Sequence, residues 1–199
     1  DLFERLAAGT VKAVWIVCTN PVVSVANRDT VIRALERAEF VVVQDVYTGV
    51  ETCAYADSVL PAALWTESAG VMVNSERSLA YTAPVVPAPG QALPDWQLIS
   101  GVARAMGFAD GFGHADAAAV FDEITAFHNP RTGWDLRGVD HDRLKSGPVQ
   151  WPAAPGGGAR NPIRYRNDGV SQKLLRRPDG TVPDLAFPTP TGKARFLAR

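Results

Sequence analysis

Polar side chains follow two short apolar runs of this chain at the point where each run ends. Asn20 comes shortly after residues 11–17, and Gln44 and Asp45 come directly after residues 40–43. Both runs are rich in β-branched residues, which is typical of strands buried in a parallel sheet. Because the carboxyl ends of parallel strands meet at one edge of a sheet, we expect these three side chains to line one crevice.

The chemistry available to these side chains is that of ligand binding. Asp45 can accept two hydrogen bonds from a ribose diol, and Asn20 offers a donor and an acceptor for the edge of a nucleobase. The same residue types also end strands as turn residues that bond their own backbone. The residues by themselves leave both interpretations open.

Catalytic and metal-binding patterns are not found in the sequence. It contains no Gly-Lys-Ser/Thr phosphate loop, and no GxGxxG follows the first apolar run. Cys18 and Cys53 are far apart and form no CxxC pair, so we expect two small buried thiols. The histidines are scattered and give no support to a zinc site. We predict neither a catalytic residue nor a metal ligand in this chain.

Strands and helices alternate along the first half of the chain. Strands are predicted at residues 11–17, 40–44 and 58–60, and helices at 2–9, 27–38, 48 or 51 to 55, 94–107 and 115–127. Residues 27–29 offer a cap for the second helix. This alternation predicts an α/β fold with a doubly wound, mainly parallel, Rossmann-like sheet. The strand order is expected to reverse near Asn20.

The second half of the chain shows weaker patterns of secondary structure. Residues 71–73 and 79–81 flank a polar tract and predict a short extended excursion. Residues 152–162 form a flexible stretch of proline and glycine, and further prolines and glycines follow it. We therefore predict an α/β ligand-binding domain at residues 1–128. An irregular extension at residues 129–199 is expected to lead toward a following domain of a larger chain.

The composition is that of an ordinary globular protein of 199 residues with 46% apolar residues. Twenty basic and 21 acidic residues give a net charge of −1, so no basic excess indicates nucleic-acid binding. No apolar run reaches the roughly 18 residues of a membrane helix, and the first residues lack the features of a signal peptide. We expect a cytoplasmic protein whose partners include neither nucleic acid nor a membrane.

Several segments have the order and spacing of motifs from a known superfamily. They are TNPVVS at 19–24, WTESAG at 65–70, NSER at 74–77, APGQALPDW at 88–96, PVQWP at 148–152 and TPTGKARF at 189–196. The chain resembles the third domain of the molybdopterin-guanine-dinucleotide oxidoreductases, a superfamily of nitrate reductases and formate dehydrogenases. Within it, the chain is most similar to the catalytic subunits of bacterial assimilatory nitrate reductases.

This resemblance implies a cofactor and a set of binding residues. Enzymes of the superfamily hold molybdenum in a bis-molybdopterin guanine dinucleotide cofactor, and their third domain binds one guanosine end of it. By position, Asn20, Gln44, Asp45 and Asp95 match residues that contact this cofactor. Ser68 also matches such a position, but the superfamily commonly has lysine there, and a lost ammonium weakens a phosphate contact. Cysteine precedes Thr19 where glycine is usual, which allows a bulkier turn.

The resemblance further implies that the chain is part of a larger oxidoreductase. An iron–sulfur cluster would belong to an N-terminal part that is missing here. The partners would be the other domains of the same catalytic chain and an electron-donor protein or subunit. The whole enzyme would reduce nitrate to nitrite by oxygen-atom transfer, while the isolated chain would be inactive. The alternatives are a formate dehydrogenase catalytic subunit and a stand-alone nucleotide-binding module.

Overall fold

The computed structural model describes residues 1–157, 165–169 and 172–197, which form two compact units. The first unit consists of residues 1–68 and 83–113, and the second of residues 69–82 and 114–199. The boundary predicted at residue 128 lies inside the second unit, and the proposed division into domains stays a prediction. Residues 158–162 of the predicted flexible stretch lie outside the described residues.

A three-stranded parallel sheet forms the centre of the first unit. Its strands are β1 (Ala13–Val17), β2 (Phe40–Asp45) and β3 (Ser58–Pro61), in the order β1-β2-β3. β2 is paired along both of its edges, and its side chains Val41 and Val43 are buried. The predicted α/β class with a parallel sheet is therefore confirmed, because continuous apolar runs are stable only where both sheet faces are covered.

The strand order differs from the predicted one in one respect. A reversal near Asn20 requires a strand on the free edge of β1, and no strand of the described residues pairs there. β3 instead pairs with β2, since the link between them is short and consecutive strands are commonly neighbours. The predicted reversal is therefore wrong for the part of the chain that the structure describes.

The helices of the first unit are α1 (Leu2–Ala7), α2 (Pro21–Ser24), α3 (Arg28–Arg37), a 3-10 helix (Glu51–Tyr55) and α4 (Asp95–Ala105). Asn27 precedes α3 as expected, but its side chain makes no capping hydrogen bond. Its backbone φ of 66° instead lies in the left-handed region, which asparagine tolerates better than most residues, and this turn leads the chain into the helix.

The core of the first unit joins the sheet to α2 and α3. It is formed by Ile16, Val22, Val31, Leu35, Val41 and Val43. Val31 and Leu35 are four positions apart, which places them on one face of α3, toward the sheet. α1 packs against α3.

The second unit begins with the antiparallel hairpin of β4 (Gly70–Val73) and β5 (Ser78–Thr82). This hairpin is the extended excursion that the sequence predicts. α5 (Ala117–Ala126) begins at Asp116, whose side-chain Oδ1 accepts a hydrogen bond from the Ala119 backbone N–H at 2.9 Å. This cap satisfies one of the free N–H groups of the first helical turn.

Short elements complete the second unit. β6 (His128–Asn129) pairs with β7 (Trp134–Asp135), α6 (His141–Lys145) follows, and β8 (Val149–Gln150) pairs with β5. The apolar core of this unit is formed by Leu79, Phe121, Leu136, Val139, Leu144, Val149 and Ala153.

The described part of the chain after residue 165 has no helix and no multi-residue strand, which confirms the predicted irregular C-terminal part. Asn167 organises it from a buried position. Its Nδ2 donates to the carbonyl oxygens of Leu175 and Pro183, at 2.8 and 2.9 Å, and its Oδ1 accepts from the Leu175 N–H at 2.7 Å. These side-chain hydrogen bonds join Asn167 to two other segments of the irregular part.

Among the described residues, no helix combines the length and the apolar character that crossing a lipid bilayer requires.

Two leucines of α1 test how the first unit is stabilised. The Leu6 side chain is 0% exposed, whereas Leu2 in the same helix is 50% exposed. Leu6→Ala is therefore expected to lower the free energy of unfolding by about 2–5 kcal/mol, since a cavity remains. Leu2→Ala should cost less than about 1 kcal/mol. Urea unfolding followed by tryptophan fluorescence measures both, and equal losses would contradict the packing described here.

Candidate binding site at the carboxyl edge of the parallel sheet

The carboxyl ends of the three parallel strands lie side by side. Val17 at the end of β1 is paired with Gln44 of β2, and the Cys18 N–H donates to the Gln44 carbonyl oxygen at 2.8 Å. On the other side of β2, the Ala62 N–H donates to the Asp45 carbonyl oxygen at 3.0 Å. The polar residues that follow β1 and β2 therefore meet at one edge, as the sequence predicts.

The segment before α4 continues this edge beyond β3. Leu93 forms a parallel bridge with Ala62, and its N–H donates to the Pro61 carbonyl oxygen at 3.2 Å. Pro94 then ends the extended segment as the N-cap residue of α4. Asp95, the first residue of α4, is thereby placed at the carboxyl edge of the sheet.

Gln44 is a fully buried polar residue of this edge. Its side chain is 0% exposed, and its Nε2 donates to the Asp95 Oδ1 at 2.6 Å. Its Oε1 is buried and has no hydrogen-bond partner. A buried acceptor without a partner destabilises a protein by roughly 1–3 kcal/mol, so it needs an explanation. An N–H or O–H group of a ligand at this edge would supply the missing donor.

Cys18 lies at the same edge and is exposed, so the prediction of two buried thiols is wrong for this residue. Its φ of 52° lies in the left-handed region, where glycine is favoured. The cysteine therefore adopts a tight, glycine-like turn instead of widening it. From this turn, the Cys18 Sγ donates a hydrogen bond to the Asp95 Oδ1 at 3.3 Å.

The carboxylates of this edge act on the Cys18 thiol. Desolvation of the Sγ, its hydrogen bond to Asp95 and the negative charges of Asp95 and Asp45 raise the pKa of Cys18 to about 11. Each of these effects disfavours the thiolate. Cys18 therefore remains protonated at neutral pH and acts here as a hydrogen-bond donor.

Asp45 has one carboxylate oxygen engaged by the protein. Its Oδ1 accepts a hydrogen bond from the Tyr47 N–H at 2.9 Å, which is the geometry of a turn that bonds its own backbone. Within the described residues, no hydrogen bond to its Oδ2 is found. Both interpretations of the sequence thus apply to Asp45, since one oxygen shapes the turn and the other remains an acceptor.

Asn20 joins the end of β1 to the 3-10 helix. Its Nδ2 donates to the Glu51 Oε2 at 2.6 Å, and its Oδ1 accepts from the Thr52 hydroxyl at 2.6 Å. The hydrogen bond from Asn20, the Glu51 backbone N–H and the charge of Arg28 hold the pKa of the Glu51 carboxyl below its usual range. The sequence does not single out Glu51, although it is an acidic residue six positions after the end of β2.

Ser68 is separate from the other four predicted binding residues. It is half-buried, and its hydroxyl donates to the Leu64 carbonyl oxygen at 3.5 Å within its own turn. Glu67 closes the same turn, with its Oε2 accepting from the Leu64 N–H at 2.8 Å. Among the described residues, no hydrogen bond links Ser68 to the group around Gln44.

This arrangement suits a ligand with several N–H and O–H donors. Asp45, Glu51, Asp95 and the Gln44 Oε1 all offer acceptors, as a ribose diol and a donor-rich nucleobase require. The described residues contain no group of three or more His, Cys, Asp or Glu side chains placed to hold a metal ion.

The second unit joins two of the sequence motifs noted above, NSER and PVQWP. The Gln150 Nε2 donates to the Glu76 carbonyl oxygen at 2.8 Å, and the Trp151 N–H donates to the Arg77 carbonyl oxygen at 3.1 Å. The Arg77 guanidinium lies 4.6 Å from the centre of the Trp151 ring, which is a cation–π contact. These contacts join the two motifs within the second unit.

A parallel sheet with polar side chains at the carboxyl ends of its strands defines the class of α/β proteins that bind ligands at that edge. The family described as Molybdopterin oxidoreductase matches residues 1–105. The chain is 37% identical over 197 residues to a nitrate reductase of Synechocystis sp., covering 98% of this chain. The chain therefore belongs to the molybdopterin oxidoreductase family.

Other similar proteins extend this comparison. An F420-dependent formate dehydrogenase subunit alpha of Methanocaldococcus jannaschii is 36% identical over 71% of this chain. The structure of acetylene hydratase from Pelobacter acetylenicus superposes with a TM-score of 0.61 and 22% identity, covering 91% of this chain and 23% of that chain. The chain spans only 26% of the Synechocystis nitrate reductase and 20% of the formate dehydrogenase subunit.

The reactivity of Cys18 tests its contact with Asp95. With a pKa of about 11, alkylation of Cys18 by iodoacetamide should be slow at pH 8 and should accelerate up to that pKa, because the thiolate is the nucleophile. Asp95→Asn removes a negative charge, so the pKa should fall and alkylation at pH 8 should accelerate. Mass spectrometry of the Cys18 peptide measures the rate.

Glu39→Gln provides the control for this experiment, because Glu39 lies near the opposite end of the strands, where it pairs with Lys12. In Glu39→Gln, the alkylation rate of Cys18 should equal that of the parent protein. An unchanged rate in Asp95→Asn would show that Asp95 does not govern the thiol.

Proposed function

We propose that this chain binds one guanosine end of a bis-molybdopterin guanine dinucleotide cofactor in a molybdenum oxidoreductase. The residues we assign to this contact are Asn20, Gln44, Asp45, Asp95 and Ser68. The observation that carries the proposal is the buried Gln44 Oε1, which lacks a donor at the edge where α/β folds bind nucleotides.

The residues of this edge fit such a group in three respects. Gln44 offers an unpaired buried acceptor, and Asp45 keeps one carboxylate oxygen for a ribose hydroxyl. Asp95 is held in place by Gln44 and Cys18 through its Oδ1. Ser68 fits less well, because its hydroxyl is turned toward Leu64 and carries no charge.

In this proposal the chain contributes binding and orientation, and the bound group supplies the molybdenum chemistry of the whole protein. Gln44 and Asp95 would hold the nucleotide end of the cofactor in a fixed position at the carboxyl edge of the sheet, since their mutual hydrogen bond positions both side chains. Asp45 would hold the ribose against the end of β2. No residue of this chain is assigned a catalytic step.

For the whole protein we propose the reduction of nitrate to nitrite by oxygen-atom transfer, supported by the similarity to nitrate reductases. A formate dehydrogenase is the second candidate, because a formate dehydrogenase subunit is 36% identical over 71% of this chain. An iron–sulfur cluster, further domains of the same chain, an electron-donor protein and a cytoplasmic location belong to the same proposal. A stand-alone nucleotide-binding module is the alternative to both.

Substrate assays separate these candidates. The full-length protein that contains this chain should consume nitrate with reduced viologen as electron donor, and it should not oxidise formate with oxidised viologen. The 199-residue chain alone should be inactive in both assays, because it supplies no more than part of a cofactor site. Formate oxidation without nitrate consumption would favour the second candidate. Turnover by the isolated chain would contradict its assignment as a binding part.

The binding role of Asp45 has a separate test. Asp45→Ala in the full-length protein leaves ribose hydroxyls without their acceptor, a loss of roughly 1–3 kcal/mol, or about ten- to a hundredfold in cofactor retention. The molybdenum and guanine contents after extended dialysis measure this retention. Asp110→Ala, an exposed acidic residue of the same unit, is the control and should retain the parent contents. Equal contents in both variants would contradict the assigned site.

A further inference from the structure

A cavity of about 420 Å³ lies in the irregular C-terminal part of the second unit. One wall is formed by residues 172–176, and the other by Phe187 with Pro188. We call this cavity the C-terminal groove. All of its lining residues belong to the second unit, so it is separate from the residues assigned to the cofactor in the first unit.

Hydrogen bonds hold both walls of the C-terminal groove. The Gln172 Nε2 donates to the carbonyl oxygens of Tyr165 and Ala186, at 3.2 and 2.6 Å. Asn167 holds the Leu175 backbone on both sides, since it donates to the Leu175 carbonyl oxygen and accepts from the Leu175 N–H. A groove whose walls are already fixed loses little conformational entropy when a partner binds to it.

The lining of the groove combines an apolar floor with two cations. Two leucines, a phenylalanine and a proline present apolar surface, while Lys173 and Arg176 are exposed. Among the described residues, neither of these cations forms an ion pair, although Lys12, Arg137 and Lys145 each pair with a carboxylate. No acidic side chain of the described part of the chain lines the groove. Its two cations are therefore available to a negatively charged partner.

The charge of this segment is opposite to that of the chain as a whole. Residues 172–177, QKLLRR, carry three positive charges and no negative charge, whereas the whole chain has a net charge of −1. A local positive potential attracts acidic partners, accelerates their association and disfavours basic ones. Charge complementarity thus selects an acidic partner for the groove, and the apolar floor requires that this partner also offers an apolar group.

We propose that the C-terminal groove binds an acidic segment of a partner protein. An apolar side chain of that segment fills the cavity, and carboxylates on either side of it lie beside Lys173 and Arg176. Leu174 and Phe187 are each 36% exposed, so the groove is shallow, whereas sites for small molecules enclose most of their ligand. An apolar centre surrounded by a polar rim that includes arginine is typical of protein–protein interfaces.

Peptide binding to the full-length protein that contains this chain tests the proposal. The probe is a fluorescein-labelled peptide in which one leucine is flanked by two glutamates on each side, and fluorescence anisotropy gives its affinity. Binding should weaken as the ionic strength rises, because exposed charges are screened. Glutamine in place of the glutamates should weaken binding by roughly two- to thirtyfold. Serine in place of the leucine should weaken it by about tenfold, since apolar burial is lost.

Arg176→Glu is the decisive variant, because it places a carboxylate at the rim of the groove. It should weaken binding of the glutamate peptide by about tenfold or more, since like charges then face each other. Arg131→Glu is the matched control, because Arg131 is an exposed arginine of the same unit that does not line the groove. It should keep the parent affinity. Both residues are exposed, so both variants should unfold at the temperature of the parent protein.

Each of the opposite results overturns the proposal. If the full-length protein does not bind the glutamate peptide, the groove is not a docking surface. If Arg131→Glu weakens binding as much as Arg176→Glu, the attraction is general and does not arise at the groove. If the serine or glutamine peptide binds as tightly as the glutamate–leucine peptide, the cavity or the cations have no role. Tighter binding of octanoate, a small apolar anion, would assign the groove to a small molecule instead.

Discussion

The hydrogen bond from the Gln44 Nε2 to the Asp95 Oδ1 is the interaction on which the geometry of the candidate site depends. It joins the central strand β2 to the first residue of α4, across 51 positions of the sequence. The bond satisfies one end of a fully buried amide and leaves the other end, Oε1, unpaired. This unpaired buried acceptor lowers the stability of the protein, as is common where a ligand completes the structure.

Asp45, Glu51, Asp95 and the Gln44 Oε1 offer acceptors at the carboxyl edge of the sheet. None of the five residues assigned to the cofactor carries a positive charge. Such an edge is suited to the sugar and base of a nucleotide, which carry the donors. It is poorly suited to a diphosphate, which needs donors or cations from the protein.

Cys18 illustrates how local backbone geometry shapes this edge. A residue with a Cβ in the left-handed region is strained by roughly 1–3 kcal/mol, and glycine would avoid this strain. The cysteine compensates in part by donating from its Sγ to Asp95, the same carboxylate that Gln44 contacts. The turn at Cys18 thus allows a hydrogen bond between the end of β1 and the first residue of α4.

Short-range patterns were sufficient to predict much of this protein. The apolar runs at residues 11–17 and 40–44 predicted two buried parallel strands, and their periodicity predicted α3 and α4. The positions of Gln44 and Asp45 after a strand predicted that they lie at the carboxyl edge. These features depend on the spacing of apolar residues and on strand direction, which a sequence contains directly.

Long-range contacts decided the rest. The strand order β1-β2-β3, the exposure of Cys18 and the partners of Asn20 all depend on how distant segments pack. The hydrogen bond between Glu51 and Asn20 could not be predicted, because it joins side chains that are 31 positions apart in the sequence. The sequence by itself thus determined the fold class and the edge where polar groups collect. Only the tertiary structure decided which atoms are paired there and which acceptor stays free, since hydrogen bonds form between neighbours in space.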